Sequence, residues 1–295
     1  MERREFLKTS ALATGVLATS TGLFAREQKS KKFIIDIAYS ADFRSAKDLK
    51  FYTPLPMPSA FQKISNFKLQ GNFTSHNILK IQDSPLLFAQ FEQTAEKKDL
   101  SLSFVLELEP YQAKLDRGEN SQYLKQTRYV RTDGKIAEIA SLVKNKSTEQ
   151  KVAFFKDYIA KNILPEQRSF SDAIKTISDK KNTFILSGES ISANSILVAL
   201  CRACNIPARE VFGFDITQNH LISNNKAEIL INHYWQRMDV SQENSYDFIA
   251  LNHLRDDFIG DIYTSSIHQT LGSIDGNNLK YYKEFQESIR LQQIA

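Results

Sequence analysis

Several residue types that mark specialised protein classes are scarce in this sequence. Only two cysteines occur among 295 residues, which excludes a fold stapled by several disulfides. Glycine (10) and proline (7) are too rare for a collagen-like or low-complexity chain. Basic residues exceed acidic ones by only 38 to 34, without a basic cluster interleaved with aromatic residues, so no nucleic-acid partner is indicated. The remaining composition, 42% hydrophobic and 24% charged, is typical of a globular protein with room for two modest domains.

The two cysteines, Cys201 and Cys204, have the Cys-x-x-Cys spacing that some oxidoreductases use. In those enzymes the first cysteine lies at a helix N-terminus, where the helix dipole lowers the thiol pKa. Here the pair falls near the end of a predicted helix, where the dipole opposes a thiolate. We therefore interpret both as small buried side chains. Because no spacing of His, Cys, Asp and Glu fits a usual ligand set, and no cofactor motif is present, we predict neither a metal nor a cofactor.

The first 25 residues have the form of an export signal. Arg3 and Arg4 precede a Phe-Leu pair, and a weakly apolar run rich in Ala, Thr and Gly follows over residues 11–24. This run is too short and too mild to span a bilayer stably. A twin-arginine signal has this shape, with a passable cleavage site after Ala25; a lipid-anchoring or disordered N-terminus is the alternative. We predict a periplasmic protein with residues 1–25 as signal peptide and no integral membrane span after its removal.

Residues 32–115 are predicted to form a small antiparallel β domain. Phe33–Tyr39 and Leu100–Leu108 have the composition and alternation of strands. Between them, Tyr52–Pro58 contains three prolines, whose fixed φ and missing N–H argue against a helix or a central strand. Short strands separated by turn signals favour a small antiparallel sheet.

Residues 120–295 are predicted to form a core domain, joined by a linker over residues 116–121. Apolar residues at helical spacing predict three helices, and Asn205, as a left-handed C-cap, and Pro207 end the third. Strands are predicted after these helices, and this order indicates an α+β domain. The predicted helices are Thr132–Leu142, Thr148–Ile163 and Ser192–Cys204, and the predicted strands are Glu210–Phe214, Ala227–Ile231 and Trp235–Asp239.

Ser190 precedes the third predicted helix, after Gly188. The exposed N–H groups and the dipole at a helix N-terminus favour developing negative charge, so this is a good location for a nucleophile. A cysteine there would gain a stabilised thiolate. A serine gains much less, because its hydroxyl is far less acidic and needs a neighbouring base.

The segment Ser187–Arg209 resembles the core of bacterial transglutaminase-like proteins, a family with a papain-like cysteine-protease fold and a Cys-His-Asp triad. The family pattern reads Gly-x-Cys-x-Asp, a helix of the type Leu-x-Val-Ala-Leu-x-Arg-Ala, and Gly-Ile-Pro-Ala-Arg. The segments that match this pattern are Leu197–Leu200, Arg202–Ala203 and Ile206–Arg209. Tyr123–Ala140 is similar to the helix that leads into the family's core. Thr53–Pro56 and Phe61–Ile64 are similar to parts of the β domain that precedes the core in exported members. The resemblance implies an α+β fold, with a papain-like transglutaminase core preceded by a small antiparallel β domain.

The same alignment implies a degenerate triad. Counting back from Arg202, the family's cysteine falls on Ser190 and its following acidic position on Ser192. The family's His-x-x-Ala-Glu aligns with Asn224–Glu228, so Asn224 replaces the histidine, and only the third member, Asp239, is retained. Without a thiol and an imidazole, the site lacks both the nucleophile and the base that activates it and transfers the proton. Asp239 alone does not replace these two groups.

Two interpretations from different classes remain open. One is a pseudoenzyme whose cleft binds a peptide or a cell-envelope protein, as fold analogy suggests. The alternative is a serine-dependent hydrolase or acyltransferase, of peptidase or amidase type, that uses Ser190 with a displaced histidine. His220, predicted in the loop before the Asn224 strand, or His233, predicted near the turn before Trp235, would then act as base with support from Asp239.

Overall fold

The structure is a computed structural model that describes thirteen segments of the chain. These are residues 30–42, 47–59, 61–81, 84–92, 97–109, 120–127, 130–162, 192–217, 220–240, 247–253, 258–259, 262–263 and 270–294. The predicted signal peptide (residues 1–25), most of the predicted linker and Ser190 lie outside them.

The described residues form mostly strands, with few helices. The strands are β1 (Lys31–Asp42), β2 (Leu49–Pro54), β3 (Gln62–Gly71), β4 (Ser75–Ile81), β5 (Ser84–Phe91), β6 (Lys97–Leu108), β7 (Ala208–Thr217), β8 (His220–Ile231), β9 (Tyr234–Met238), β10 (Phe248–Asn252), β11 (Phe258–Ile259), β12 (Ile262–Tyr263), β13 (Leu271–Ile274), β14 (Asn277–Asn278) and β15 (Phe285–Gln293). The helices are α1 (Gly134–Ser141), α2 (Thr148–Asn162) and α3 (Ala193–Ala203), with 3-10 turns at Asn120–Leu124 and Leu279–Tyr281. In this part of the chain no helix is long and apolar enough to cross a membrane.

The strands of the N-terminal region lie in two sheets, which are antiparallel as predicted, although a single small sheet was expected. Their strand orders are β15-β1-β6-β3 and β14-β13-β2-β5-β4. In β6 the apolar residues Leu100, Leu102 and Phe104 are buried and the polar residues between them are not, because successive side chains of a strand point to opposite faces. The predicted strands Phe33–Tyr39 and Leu100–Leu108 are confirmed as parts of β1 and β6.

The prediction that Tyr52–Pro58 contains no central strand is wrong for its first three residues. Strand β2 lies between β5 and β13 and continues to Pro54. Pairing with β13 involves only Leu49–Tyr52, whereas Pro54 pairs on one side alone, opposite Leu86 of β5. Pro54 interrupts no hydrogen bond to β13, because the pairing of β2 with β13 has already ended at Tyr52.

The chain after residue 270 returns to the N-terminal sheets. Strand β15 pairs antiparallel with β1, with Phe33 opposite Gln293, and β13 pairs antiparallel with β2. The sequence placed these residues in a core domain of residues 120–295. The structure shows that the C-terminal strands share their sheets with strands of residues 32–115, while the domain boundaries themselves stay a prediction.

The three helices pack on a sheet of order β10-β7-β8-β9, and all three were predicted. Ile136 of α1, Phe155 of α2 and Leu197 of α3 are buried in one apolar core together with Ala227 and Ile229 of β8. Helix α3 is buried from Ala193 to Arg202, as expected of a helix that is apolar almost all round.

The C-terminal end of α3 follows the sequence expectation, and its N-terminal end has a cap that was not predicted. Ser192 is the N-cap, and its Oγ accepts a hydrogen bond from the Ser195 backbone N–H at 3.0 Å. Asn205 has φ +56°, the left-handed conformation predicted for it. Cys201 is buried and Cys204 half-buried, and burial raises the pKa of both thiols, which agrees with a packing role.

Strands β7 and β10 approach each other so closely that Gly213 cannot be replaced. A Cβ atom at position 213 would lie 1.8 Å from the backbone oxygen of Ile249. Gly213 is opposite Ala250 on one side and Asn224 on the other, so this close approach fixes the sheet beside the predicted site.

Candidate functional site

The site is described from the N-terminus of α3 onward, two residues beyond Ser190. Ser192 and Ser195 form a reciprocal cap, in which the Ser195 Oγ also accepts the Ser192 backbone N–H at 3.2 Å. This arrangement satisfies two of the N–H groups that an α-helix leaves unpaired at its start. Ser192, the first described residue of this segment, is therefore held in place by the cap.

A buried carboxylate from β7 faces this cap. Glu210 is 4% exposed, and its Oε1 atom accepts hydrogen bonds from Ser195 Oγ at 2.5 Å and Ser192 Oγ at 3.3 Å. The same atom accepts from Asn225 Nδ2 of β8, which also contacts Ser192 Oγ at 2.5 Å. Glu210 was not predicted as a site residue, although an acidic side chain within an apolar strand is a visible signal of a buried polar contact.

Asn224 is bound by two carboxylates. Its Nδ2 atom donates to Asp215 Oδ2 at 2.6 Å and to Asp239 Oδ2 at 3.2 Å, and its Oδ1 accepts from the Asn225 backbone N–H at 2.8 Å. These partners are mutually consistent and determine which way the amide is oriented. Both amide hydrogens are therefore already engaged within the protein.

Asp239 follows β9 and is contacted from two elements. Asn194, in the first turn of α3, donates from Nδ2 to Asp239 Oδ1 at 3.3 Å and to the Asn225 backbone oxygen at 2.8 Å. The Oδ1 atom of Asn194 accepts a hydrogen bond from the Val240 backbone N–H at 2.9 Å. The side chain of Asp239 is only 1% exposed. Amides of Asn194 and Asn224 thus hold one carboxylate oxygen each.

A buried ammonium completes this cluster. Lys226 lies two residues beyond Asn224 on β8, so both side chains are on the same face of the sheet. Its Nζ atom is 2.8 Å from Asp215 Oδ1 and 3.9 Å from Asp239 Oδ2, with a side chain only 2% exposed. The ammonium also lies 5.0 Å from the ring centroid of Phe248. Two buried carboxylates therefore share one positive charge.

Further along the same face, Glu228 is paired with two arginines from the neighbouring strands. Arg209 Nε lies 2.8 Å from Glu228 Oε2, and Arg237 donates to Oε1 from Nε at 3.1 Å and Nη2 at 2.9 Å. Burial opposes ionisation of Glu228, but the two guanidinium charges outweigh it and hold the pKa of this carboxyl well below its usual value.

Aromatic rings cover both guanidinium groups. Arg209 lies 4.3 Å from the ring centroid of Trp235 and 5.1 Å from that of Tyr123, whose hydroxyl it also contacts at 3.2 Å. Arg237 lies 4.7 Å from the ring centroid of Phe61. The arrangement links β7, β8 and β9 by a buried Arg–Glu–Arg ladder. Arg209, which is part of the sequence resemblance, therefore has a structural role.

The two histidines considered as bases are exposed at opposite ends of β8. His220 is the first residue of the strand rather than part of a preceding loop, and His233 lies in the turn that follows it, with φ +69°. A third histidine, His253, is buried instead, with its Nε2 atom 3.6 Å from Glu228 Oε2. Burial and the nearby Arg209 lower the pKa of His253 to about 4.

Comparison with known proteins identifies the central part of the chain. Residues 135–242, which include most of α1 together with α2, α3 and β7 to β9, match the model of the Transglutaminase-like superfamily. The chain contains a transglutaminase-like domain. A solved structure described as "The Crystal Structure of a Putative Cysteine Protease from Cytophaga hutchinsonii" is similar over 91% of this chain and 92% of that one, with a TM-score of 0.57 and 16% identity. At this identity the likeness shows the fold alone, and it confirms the predicted α+β, papain-like architecture.

A curated relative comes from Haemophilus influenzae (strain Rd) and is named only as an uncharacterized protein. It is 27% identical over 180 residues, which cover 55% of this chain and 49% of the relative. The chain therefore spans about half the length of this relative.

The transglutaminase-like domain brings together some of the predicted site residues. Asn224 and Asp239 are in contact, and Ser192 joins them through Asn225, whereas Ser190 lies outside the described residues. The sequence did not predict Asn194, Asp215, Lys226 or Glu210 at this place. Among the described residues no group of three or more His, Cys, Asp and Glu side chains could hold a metal ion.

Proposed function

We propose that this transglutaminase-like domain is catalytically inactive and uses its cleft to bind an extended peptide or a cell-envelope protein. The observation that carries the proposal is the pair of contacts from Asn224 Nδ2 to Asp215 and Asp239, at 2.6 and 3.2 Å. An amide neither accepts nor releases a proton at neutral pH, so it cannot act as the general base that a serine or thiol nucleophile requires.

The charges around Asn224 support the same proposal. In a working triad the aspartate orients an imidazole and stabilises its protonated form. Here Asp239 already accepts hydrogen bonds from two asparagines and lies 3.9 Å from the ammonium of Lys226. Its hydrogen-bonding capacity and its charge are used within the fold. The carboxylate is then a structural group of the cleft wall rather than a partner in proton transfer.

The serine-hydrolase alternative needs a base close to Ser190, and the histidine positions weigh against it. His220 is four residues from Asn224 along β8, roughly 13 Å of extended strand, and His233 lies beyond the other end of the strand, in the turn that follows Ile231. His253 is buried beside Glu228, four positions beyond Asn224 on the same strand face. None of these three histidines occupies the position of Asn224, where the family resemblance places the base.

The ligand class rests on fold analogy. In active relatives a cleft of this type accepts an extended peptide or an amide-bearing side chain, and a cleft without catalytic groups can retain that shape. The predicted twin-arginine signal would bring the protein to the periplasm, where envelope proteins are the available partners. We therefore propose a periplasmic binding or scaffolding role.

A serine-directed fluorophosphonate probe tests inactivity directly. We expect the purified chain to remain unlabelled under conditions that fully label a known serine hydrolase added as an internal standard. The Ser190→Ala variant is the matched control, because it removes only the candidate hydroxyl. Labelling of the native chain that disappears in Ser190→Ala would overturn the proposal and favour the serine-dependent alternative.

A further inference from the structure

The carboxylate of Glu210 lies at the N-terminus of α3, a helix with no acidic residue in its own first turn. We infer that Glu210 is a positioning residue for this end of the cleft, and that positions 210 and 192 are alternative places for a single carboxylate. Only the identification of Ser192 with the acidic position of active relatives rests on the proposed function. The coupling between the two positions stands on geometry alone.

A helix N-terminus carries unpaired N–H groups and the positive end of the dipole, so a negative charge stabilises it. Asp or Glu in the first turn of a helix commonly supplies this charge. For α3 the negative charge comes from a neighbouring strand. Glu210 of β7 accepts hydrogen bonds from both cap hydroxyls, from Ser195 Oγ at 2.5 Å and from Ser192 Oγ at 3.3 Å. The side chain is 4% exposed, so water does little to screen the interaction.

Glu210 also connects the helix to the Asn224 cluster. Its Oε1 atom accepts from Asn225 Nδ2, and the Asn225 backbone N–H donates to Asn224 Oδ1 at 2.8 Å. Asn224 in turn donates to Asp239 at 3.2 Å. A continuous set of hydrogen bonds thus runs from the α3 cap through two strands to Asp239. Loss of the carboxylate at 210 would free the donors that set this geometry.

The space beside the cap admits one carboxylate. An aspartate at position 192 would place its Cγ atom where Ser192 Oγ now lies, 3.3 Å from Glu210 Oε1, with its carboxylate oxygens one bond further out beside the same carboxylate. Two carboxylates at such a distance do not both ionise, and the pKa of one is strongly raised. Ser192→Asp should therefore be tolerated only when Glu210 is removed at the same time.

A double-mutant cycle on the full chain tests this coupling by urea unfolding, with the native chain, Ser192→Asp, Glu210→Ser and the double variant. At pH 7 we expect each single substitution to lower the folding equilibrium constant by about tenfold or more, and the double variant to recover most of that loss. Glu210→Gln keeps the side-chain shape and removes the charge, and we expect this variant to have a lower folding equilibrium constant than the native chain.

The pH profile separates a charge effect from a packing effect. Repulsion raises one carboxyl pKa in the folded state of Ser192→Asp, so the penalty grows as pH rises from 4 to 7 and shrinks as pH falls. A packing defect would be independent of pH in this range.

Full stability of Ser192→Asp alone, or a double variant no more stable than its single parents, would overturn the inference. If Ser192→Asp does not fold, cooperative unfolding of the double variant supports the exchange, and its absence contradicts it. None of these outcomes depends on fluorophosphonate labelling, so the inference and the proposed function can fail separately.

Discussion

Asn224 Nδ2 and Asp239 Oδ2 lie 3.2 Å apart, joining the start of the buried part of β8 to the residue after β9. The family resemblance aligns these residues with the histidine and aspartate of a triad; that alignment stays a prediction, and the structure shows that the two side chains are in contact. The hydrogen bond resembles an imidazole–carboxylate contact in position but offers no proton that can be transferred. The two side chains lie within hydrogen-bonding distance, and the amide of Asn224 carries no group that titrates near neutral pH.

Restoring the triad residues tests whether the cleft is still competent. We expect Ser190→Cys combined with Asn224→His to react with iodoacetamide at residue 190 at least about tenfold faster at pH 7 than Ser190→Cys alone, because a nearby imidazolium lowers a thiol pKa. Peptide mass spectrometry separates modification at 190 from that at Cys204.

Asn232→His in the Ser190→Cys background is the matched control, since Asn232 lies in the exposed turn beyond β8. It adds a histidine on the same hairpin without placing it beside Asp239. Equal rates for the two histidine variants would show that position 224 does not face the nucleophile position.

Lys226 is predicted to be essential for stability because it is an ammonium close to two buried carboxylates. Lys226→Met keeps much of the side-chain volume but leaves Asp215 and Asp239 without the charge that lies 2.8 and 3.9 Å away. Removing one partner of a buried ion pair costs about 3–5 kcal/mol, so chemical denaturation should show a loss of this order.

Two variants check the cause of that loss. Lys161→Met removes a lysine whose side chain is 71% exposed, and we expect a change within about 0.5 kcal/mol. Lys226→Met combined with Asp215→Asn should be more stable than Lys226→Met alone, because one unpaired charge is removed. A double variant less stable than Lys226→Met would show that lost packing, not charge, dominates.

The helices could be predicted from the sequence because their signals are local. Apolar spacing defined α2, and Asn205 together with Pro207 defined the C-terminal end of α3. Strand β6 was equally clear from its alternation. The pairing of β15 with β1 was not predicted, since residues about 250 positions apart meet only through tertiary packing that no local pattern encodes.

Only some residues of the candidate site could be predicted from the sequence, because the others are brought to the site by tertiary packing. Motif spacing led to Asn224 and Asp239, which the structure brings together. Glu210 and Lys226 belong to no motif, so although a charged residue within an apolar strand signals a buried polar contact, the sequence does not say which residues form that contact. Their burial depends on partners in other strands and in α3, so their roles follow only from the three-dimensional arrangement.

Export by the twin-arginine route is a prediction about residues outside the described structure. We expect replacement of Arg3 and Arg4 by lysine to retain the protein in the cytoplasm, because this route reads the arginine pair itself rather than positive charge. Cell fractionation with immunodetection measures the distribution, and replacement of Lys8 by arginine serves as a control that leaves the pair intact. Unchanged periplasmic accumulation of the lysine variant would mean that another signal acts.

His253 is expected to make the stability of the fold depend on pH between about 6.5 and 4. In the unfolded chain the imidazole has its ordinary pKa near 6.5, whereas burial lowers the pKa in the folded protein to about 4. In this window the unfolded state therefore binds more protons, and stability decreases as pH falls. The linked change amounts to about 3 kcal/mol at most.

The experiment compares the pH profiles of the native chain and of His253→Gln by urea unfolding. We expect His253→Gln to flatten the profile between pH 6.5 and 4.5, whatever its stability at pH 7, because the variant has no imidazole to protonate. Glu228 contributes only at the lower end of this window, because its linked effect begins as the pH approaches the ordinary pKa of 4.5 in the unfolded chain, while its pKa in the folded state is held well below that value; the upper part of the window reports on His253. His220→Gln, at an exposed position, should leave the slope unchanged. A slope that survives His253→Gln would assign the pH dependence to other groups and contradict the burial of a neutral imidazole beside Glu228.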